Sequence, residues 1–256
     1  MSVVNLRNYS FGSSLFKGSD FRAPGANIPS TIPISTANLQ IYTTAQNSTS
    51  NPGSGTTWFD LSGNGYNGTL TNGAAFAGTA PAYVSLDGTN DYVEYGDLFD
   101  PISAFTIQGW WYASDVTNKQ IFASKWADAG NQRAILFGHR LDTGRGPSVI
   151  LDRSGTFGTI LKVDDPDELI INTWYHLAVT YDGNNTKLYQ DGVEIASGAF
   201  GSTGNLFNST AGIRVGNETG AAFFNGRVGE FDWYNAALAG ATVLSNFNAT
   251  KTPYGK

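Results

Sequence analysis

The sequence predicts an all-β fold, an antiparallel sandwich or barrel. Three observations support this: short β-rich segments follow one another closely, Asn-Gly and Asp-Gly pairs stand between many of them, and helical periodicity is nearly absent. Asn-Gly and Asp-Gly tolerate positive φ and mark tight hairpins, so neighbouring strands are expected to run antiparallel. Strands alternating with long helices, as in a parallel sheet, are not indicated.

The predicted strands fill most of the chain after residue 38. They are LQIYTTA (39–45), AYVSL (82–86), DYVEYG (91–96), FTIQGWWYA (105–113), QIFASKW (120–126), RAILFGHRL (133–141), PSVILDR (147–153), GTILKVD (158–164), WYHLAVTYD (174–182), TKLYQD (186–191), VEIAS (193–197), GIRVGN (212–217) and RVGEFDWYNA (227–236). One short helix is predicted over 237–249, with Leu238, Val243, Leu244 and Phe247 on one face and Gly240 as a weak point.

Residues 1–37 differ from the rest of the chain and predict an extended N-terminal arm, followed by one domain over 38–256. Three prolines favour extended chain, and Phe11, Phe16 and Phe21 recur every five residues. Phenylalanine is unusual in free linkers, so one interpretation docks this arm on a neighbouring subunit. The other interpretation is an unstructured terminus.

Composition excludes several classes of function. Charged residues make up only 14%, the net charge is −6 and the isoelectric point is about 4.8. This argues against a nucleic-acid partner, which needs clustered Lys and Arg, and against anionic membranes. The absence of cysteine excludes disulfides and thiol catalysis. The first residues do not resemble a signal peptide, and no apolar run is long enough to cross a bilayer.

Several segments together resemble the laminin-G-like, concanavalin A-like lectin and glucanase jelly-roll family. They are SLDGTNDYVEYGD (85–97), FTIQGWWYA (105–113), WYHLAVTYDGNNTKLYQDGVEIASG (174–198), IRVGN (213–217) and FNGRVGEFDWYNAALAG (224–240). The segment that opens on LQIYTTA is similar to the opening of such domains in bacteriophage and environmental bacterial proteins. The resemblance implies a jelly roll, two stacked antiparallel sheets with Greek-key connections, but it implies no single activity.

The resemblance also implies a structural calcium site near LDGTND (86–91), with Asp87 and Asp91 as the candidate ligands. Calcium takes hard oxygen ligands, and the two carboxylates stand four residues apart across a glycine turn. The alternative is that both residues only shape the turn. Gly229-Glu230 stands where relatives often carry an Asp-Glu pair, so one carboxylate is missing there.

Trp126 is the candidate glycan-binding residue. It lies in SKWADAGNQR, a polar segment, whereas Trp58, Trp110 and Trp174 occupy apolar strand positions and are expected in the core. The alternative is that the Trp126 ring folds back over the edge of the sandwich.

No catalytic machinery is evident, and the sequence predicts a protein that is not an enzyme. Laminarinase-like relatives use Glu-x-Asp-x-x-Glu on one strand, and no such run is present. No Gly-x-Ser-x-Gly elbow occurs, and His139 and His176 form no zinc motif. His176 matches the family's Trp-x-His position and is expected to be a hydrogen-bonded structural histidine.

These features favour a non-enzymatic bacteriophage virion protein, either a capsid decoration or a fibre subunit, made in the host cytoplasm and placed on the virion surface. The arm is expected to join other virion proteins or to form a homo-oligomer, and the jelly roll to stabilise the shell or contact host-surface glycans. The alternative is a bacterial carbohydrate-binding or adhesin module, and a weaker one is a degenerate glycosidase.

Overall fold

The computed structural model describes residues 32–141 and 145–256, and these residues form a β-sandwich. The strands are β1 Leu39–Thr44, β2 Thr57–Trp58, β3 Gly68–Thr71, β4 Ala75–Ala77, β5 Tyr83–Asp87, β6 Tyr92–Gly96, β7 Phe105–Ala113, β8 Gln120–Ala127, β9 Gln132–His139, β10 Pro147–Asp152, β11 Ile160–Asp164, β12 Trp174–Tyr181, β13 Asn185–Gln190, β14 Val193–Ala199, β15 Ile213–Val215 and β16 Asn225–Tyr234. One α-helix, α1, spans Gly240–Thr250, and two 3-10 turns cover Ala129–Asn131 and Thr252–Tyr254.

The strands form two antiparallel sheets, which confirms the predicted two-sheet sandwich. Sheet A has the order β14-β13-β12-β7-β16-β5-β4, with β1 also paired to β16. Sheet B has the order β11-β10-β9-β8-β15-β6-β3-β2. The hairpin turns follow the predicted chemistry: Asp191 and Gly192 between β13 and β14 both have positive φ, as a tight hairpin with primed geometry requires.

The core between the sheets is apolar and follows strand alternation. On β12, Leu177, Val179 and Tyr181 point into it, as their alternation predicts, and Trp111 and Trp233 fill its centre. A jelly roll with one core usually leaves the far side of each sheet in contact with water. Sheet A departs from this, because every residue of β12 is buried and β7 is buried at all but one position.

The outer face of sheet A, the face turned away from sheet B, is covered by three segments of the same chain. Ile34 and Leu39 pack on Tyr42 and Tyr234 at one end. Helix α1 and the C-terminal turn contribute Phe247 and Tyr254, which pack on tryptophans of β7 and β12. The outer face is therefore a second, smaller core.

Helix α1 confirms the predicted helix and buries Val243 and Phe247 of its predicted inner face, but not Leu244. Leu244 is exposed, whereas Asn246 is buried beside Val243 and Phe247. The reason is that Asn246 finds three partners: its Oδ1 accepts from the Ser35 amide at 2.9 Å, and its Nδ2 donates to Gln108 Oε1 at 3.3 Å. The same Nδ2 donates to the Tyr234 hydroxyl at 3.2 Å. The amide is tolerated in this buried position because its polar atoms are hydrogen-bonded.

The expected N-terminal arm is described only over residues 32–37, and these pack on the domain itself. The Tyr234 hydroxyl donates to the Ser35 carbonyl at 3.0 Å, and Ile34 is buried. Phe11, Phe16 and Phe21, which are predicted to dock on a neighbour, lie outside the described residues. No helix among the described residues has the length and hydropathy that crossing a membrane requires.

Asn246→Ala tests how strongly this amide holds the covering segments. The change removes the partner of the Ser35 amide and of Gln108 Oε1, and a buried group left without a partner costs about 1–3 kcal/mol. We expect the free energy of unfolding in urea to fall by about 2 kcal/mol or more. Asn248→Ala, on the exposed side of the same helix, is the matched control and is expected to change it by less than about 0.5 kcal/mol. Equal effects of the two changes would contradict this role.

Candidate functional site

The structure corrects the expectation that Trp126 is an exposed ring. Trp126 lies within β8 rather than in a loop and is only 1% exposed. It packs on Ile121, Leu136 and Ile150 on the outer face of sheet B. Its indole N–H donates to Asp128 Oδ1 at 3.1 Å, so its polar atom also has a partner inside the protein. A ring so covered cannot stack on a ligand.

A different ring, Phe157, is exposed directly beside Trp126. Phe157 lies in the loop between β10 and β11, and 44% of its surface is exposed. Its ring centroid is 5.2 Å from that of Trp126, with the two planes at 75°, an edge arrangement that aromatic pairs favour. The buried indole therefore supports an exposed phenyl ring.

Asp152, at the end of β10, fixes the loop that carries Phe157. Its Oδ1 accepts from the amides of Ser154 at 2.7 Å and Gly155 at 3.1 Å, and its Oδ2 accepts from the Phe157 amide at 2.7 Å. Phe157 has a φ of +64°, in the left-handed region that side chains other than those of Gly, Asn and Asp rarely adopt. Such a conformation costs about 1–3 kcal/mol and persists only where the surroundings enforce it.

Arg133 of β9 lies beside the ring and connects it to polar groups of the β8–β9 turn. The Arg133 guanidinium carbon lies 5.0 Å from the Phe157 centroid. Arg133 Nε donates to Asp128 Oδ1 at 2.8 Å, and Nη1 donates to Asn131 Oδ1 at 2.8 Å. The hydrogen bond from Arg133 lowers the pKa of the exposed Asp128 carboxyl, which keeps it charged. We name Trp126, Asp128, Asn131, Arg133 and Phe157 together the Phe157 platform.

The chemistry of the Phe157 platform suits a ligand with one apolar face and several hydroxyls. An aromatic ring attracts C–H groups over its face, and a carboxylate, an amide and a guanidinium at its edge exchange hydrogen bonds with hydroxyls. A sugar ring has both features. No nucleophile paired with a base belongs to the Phe157 platform, so the geometry supports binding rather than covalent chemistry.

A second cluster, which sequence reasoning missed, lies on the outer face of sheet A. Glu230 and Asp232 alternate on β16, and both are fully enclosed by the chain. In the sequence, Glu230 stands out only as half of an incomplete Asp-Glu pair, and Asp232 is not a candidate site residue. The available signal was Glu-x-Asp on one strand, the first half of the Glu-x-Asp-x-x-Glu pattern, with Asn235 at the last position.

Within residues 32–141 and 145–256, no positively charged group forms an ion pair with either carboxyl. Gln108 Nε2 donates to Asp232 Oδ2 at 2.8 Å, but within the described residues Glu230 Oε1 and Asp232 Oδ1 have no hydrogen-bond partner. Burial raises the pKa of Glu230 to about 8. Burial, and then the charge of Glu230, raise the pKa of Asp232 well above its usual range. The other nearby groups that act on the pair, Thr44 and Asp60, supply no positive charge to offset the loss of solvation. At least one proton therefore stays on the pair at neutral pH.

The histidines are buried and neutral. His176 is enclosed on the outer face of sheet A between Trp110 and Phe247, and burial lowers its pKa to about 3. The expectation of a buried structural histidine fits, but the expected hydrogen bond is wrong, because within the described residues neither ring nitrogen has a partner. Burial, assisted by the charge of Arg140, lowers the pKa of His139 to about 4.

Asp87 and Asp91, the candidate calcium ligands, are engaged by backbone amides. Asp91 Oδ1 accepts from the Gly73 amide at 2.7 Å, and Oδ2 accepts from the Asp87 amide at 3.1 Å. Asp87 Oδ1 accepts from the Thr89 amide at 2.7 Å. No group of three or more His, Cys, Asp or Glu side chains in the described ranges is arranged to hold a metal ion. In these positions, Asp87 shapes its own turn and Asp91 binds the backbone of two loops. This arrangement fits the turn alternative better than a calcium site, which needs six to eight oxygen ligands.

The two-sheet jelly roll places this protein in the class of β-sandwich modules that the sequence resemblance implies. A family profile described as the Concanavalin A-like lectin/glucanases superfamily matches residues 87–244. The chain belongs to this superfamily. No curated protein sequence matches the chain significantly.

Solved structures of low sequence identity share this fold. Domain 4 of AbnA, a GH43 extracellular arabinanase from Geobacillus stearothermophilus solved with arabinotriose, is 18% identical with a TM-score of 0.61, and the match covers 81% of this chain and 97% of that domain. The binding domain of Paraclostridial Mosquitocidal Protein 1 is also 18% identical, with a TM-score of 0.63 over 86% of this chain and 55% of that one.

The binding domain of Botulinum Neurotoxin DC, solved in complex with SialylT, is 14% identical with a TM-score of 0.60, and the match covers 84% of this chain and 52% of that one. The chain thus spans about half the length of these two toxin binding domains. At this level of identity the likeness shows the shared fold alone.

The buried carboxyl pair predicts that the protein loses stability as the pH rises. A carboxyl whose pKa is raised by folding stabilises the fold below its unfolded pKa, and this stabilisation is lost as the pH rises to the folded pKa. For Glu230 the window runs from about 4.5 to about 8. The two histidines, whose pKa values are lowered, act oppositely, because their stabilisation is lost as the pH falls below about 6.5. The decline should therefore be steepest between about pH 6.5 and pH 8.

We expect Glu230→Gln to reduce this decline by at least about 1.4 kcal/mol, the equivalent of one pKa unit, when urea unfolding is compared at pH 6.5 and pH 8. Asp232→Asn should act in the same direction. Asp167→Asn, at an exposed position, is the matched control and should leave the slope unchanged. If all three variants keep the slope of the original protein, the pair does not titrate in this range.

Proposed function

We propose that this protein is a non-catalytic carbohydrate-binding module whose Phe157 platform contacts a sugar ring. The observation that carries the proposal is the exposed phenyl ring of Phe157. Three backbone amides of its loop donate hydrogen bonds to Asp152, and the ring packs on the buried Trp126, so it is held in a strained conformation at the surface. The hydrogen bonds to Asp152 hold this conformation in place. It fits a site in which the ring is oriented before the ligand arrives, so that binding loses less conformational entropy.

The polar groups of the Phe157 platform favour a neutral ligand. Arg133 already donates to Asp128, Asn131 and the Gly155 carbonyl, so its charge is balanced within the site. The exposed Asp128 carboxylate would repel an acidic sugar and would accept hydrogen bonds from hydroxyls. A neutral oligosaccharide with free hydroxyls meets both conditions.

The superfamily and its structural relatives agree with a binding role. One relative of this fold is a domain of an arabinanase solved with arabinotriose, and others are toxin binding domains, one of them solved with SialylT. We take from them only that this sandwich can serve as a binding module. The absence of a nucleophile or of an accessible acid pair at the Phe157 platform supports the non-catalytic part of the proposal.

The bacteriophage virion role stays a prediction from the sequence. Its main support, the arm with Phe11, Phe16 and Phe21, lies outside the described residues. Mass spectrometry of purified particles tests it, and particles without the protein would remove it. The carbohydrate-binding proposal does not depend on that outcome, because the Phe157 platform lies within the described domain.

Phe157→Ala is expected to abolish sugar binding. The measurement is a printed array of neutral and acidic oligosaccharides, followed by calorimetry on the best neutral ligand, where we expect the affinity to fall at least about tenfold, equivalent to about 1.4 kcal/mol. Phe157→Tyr keeps the ring and should retain binding. Phe59→Ala is the matched control, because Phe59 is similarly exposed at 40% but lies by β2, at the opposite edge of sheet B. Binding that survives Phe157→Ala, or that is lost equally with Phe59→Ala, would refute the assignment.

A further inference from the structure

Tyr254 fills a slot between aromatic rings on the outer face of sheet A. Its ring stacks on Trp110 with the centroids 4.2 Å apart and the planes at 16°, and it lies 4.9 Å from the ring of Trp174. Stacking this close and parallel differs from the tilted and edge-on contacts that many ring pairs elsewhere in the described residues make. One face of Trp110 is thus covered by the 3-10 turn that follows α1.

The far end of the Tyr254 ring lies in a polar recess. Its hydroxyl accepts from Gln46 Nε2 at 3.2 Å, interacts with Thr44, and is close enough to Glu230 for the carboxylate to raise the tyrosine pKa, after the larger effect of burial. Gly229 makes room for it, because a Cβ there would lie 2.4 Å from the hydroxyl. The slot therefore combines a flat apolar wall with hydrogen-bonding groups at one end.

The walls of the slot do not depend on Tyr254. The Trp110 indole N–H donates to the Thr250 hydroxyl at 2.9 Å, and Phe247 packs beside the ring, so α1 holds Trp110 in place. Trp174 is the first residue of β12 and is paired in the sheet with Tyr112. Removing residues 252–256 would open the stacked face of Trp110 and leave the rest of the helix cover intact.

The recess also contains polar atoms that form no hydrogen bond with Tyr254. Glu230 Oε1 and Asp232 Oδ1 are fully buried and, in the part of the chain that the structure describes, accept no hydrogen bond. The nearest cation on the same strand, Arg227, is held between the rings of Tyr83 and Tyr112 instead. A ligand with several hydroxyls would supply the missing donors, which one tyrosine hydroxyl cannot.

We propose that this slot is a second carbohydrate-binding site, masked by residues 252–256 of the same chain, with Tyr254 in the place of a sugar ring. The ligand class is a neutral sugar, since a flat C–H face suits Trp110 and hydroxyls suit Glu230, Asp232 and Gln46, and within the described residues no cation is paired with the two carboxyls to attract an anion. The site is on sheet A and the Phe157 platform is on sheet B, so the two proposals stand or fall separately.

The test compares the intact chain with two unmasked forms, a chain that ends at Lys251 and the full-length Tyr254→Gly variant. Tyr254→Phe is the matched control, because it keeps the stacked ring. Each is applied to the same array of neutral oligosaccharides, with arabinotriose titrated in solution and tryptophan fluorescence as the signal. We expect the unmasked forms to gain at least about tenfold in affinity for one or more neutral oligosaccharides, and Tyr254→Phe to gain nothing.

A further substitution in the unmasked forms shows which of the two sites produces any gain in sugar affinity. Trp110→Leu in the unmasked background should remove the gained binding, whereas Phe157→Ala should leave it. If Phe157→Ala removes the gain, the binding belongs to the Phe157 platform and the masked site is wrong. If both unmasked forms fold, by circular dichroism, and gain no binding, the proposal is overturned. If neither folds, it is also overturned, because a masked site must exist without its mask.

Discussion

The burial of the outer face of sheet A is the constraint on which the rest of the structure depends. An antiparallel sandwich needs only one buried face per sheet, and the other can remain in water. Here the outer positions of β7, β12 and β16 carry Trp110, Trp174, His176 and Tyr234, which cannot remain in water without a large apolar surface. Residues 32–38, α1 and the C-terminal turn must therefore fold onto the sheet, and Asn246 ties two of these covering segments to β7 and β16.

Covering this face also determines the electrostatics of the protein. Glu230, Asp232 and His176 lie beneath the cover, where a charge loses the solvation that water gives it. Burial therefore raises the pKa values of the two acids, which keep at least one proton between them at neutral pH, and lowers the pKa of the histidine, which stays neutral. The stability of the cover and the protonation of these groups are thus coupled, and the coupling acts in opposite directions for the acids and the histidine.

Much of the fold could be predicted from the sequence, because it rests on local rules. Alternation placed Leu177, Val179 and Tyr181 in the core, and Asp191-Gly192 predicted a hairpin that the structure confirms. The cover could not be predicted in the same way. Leu244 was the natural choice for the inner face of α1, yet Asn246 takes that place because its partners are at positions 35, 108 and 234, far away in sequence. Only the tertiary structure brings them together.

The candidate site was predicted in the right region but with the wrong ring. The polar turn after Trp126 does border the Phe157 platform, but the indole lies in the β8 ladder and Phe157 is the exposed ring. Phe157 carries no periodic signal in DRSGTFG, and its strained φ comes from the bonds to Asp152, which a sequence does not reveal. Glu230 and Asp232 were missed for a related reason: their alternation on β16 is what a solvent-facing strand face would also show.

Both candidate surfaces occur where the structure departs from what stability alone favours. A phenylalanine in the left-handed region lowers the stability of the fold, and glycine would adopt this conformation without strain. Two buried carboxyls without a cation also lower it, and an amide or an apolar residue would cost less there. Each departure lies beside an aromatic surface: Trp126 with Phe157 on sheet B, and Trp110 with Tyr254 on sheet A. Since a sequence that specifies one fold satisfies its local rules nearly everywhere, such departures are where a functional or strained site is expected. The two surfaces differ in access, because Phe157 faces solvent whereas Trp110 is covered by Tyr254.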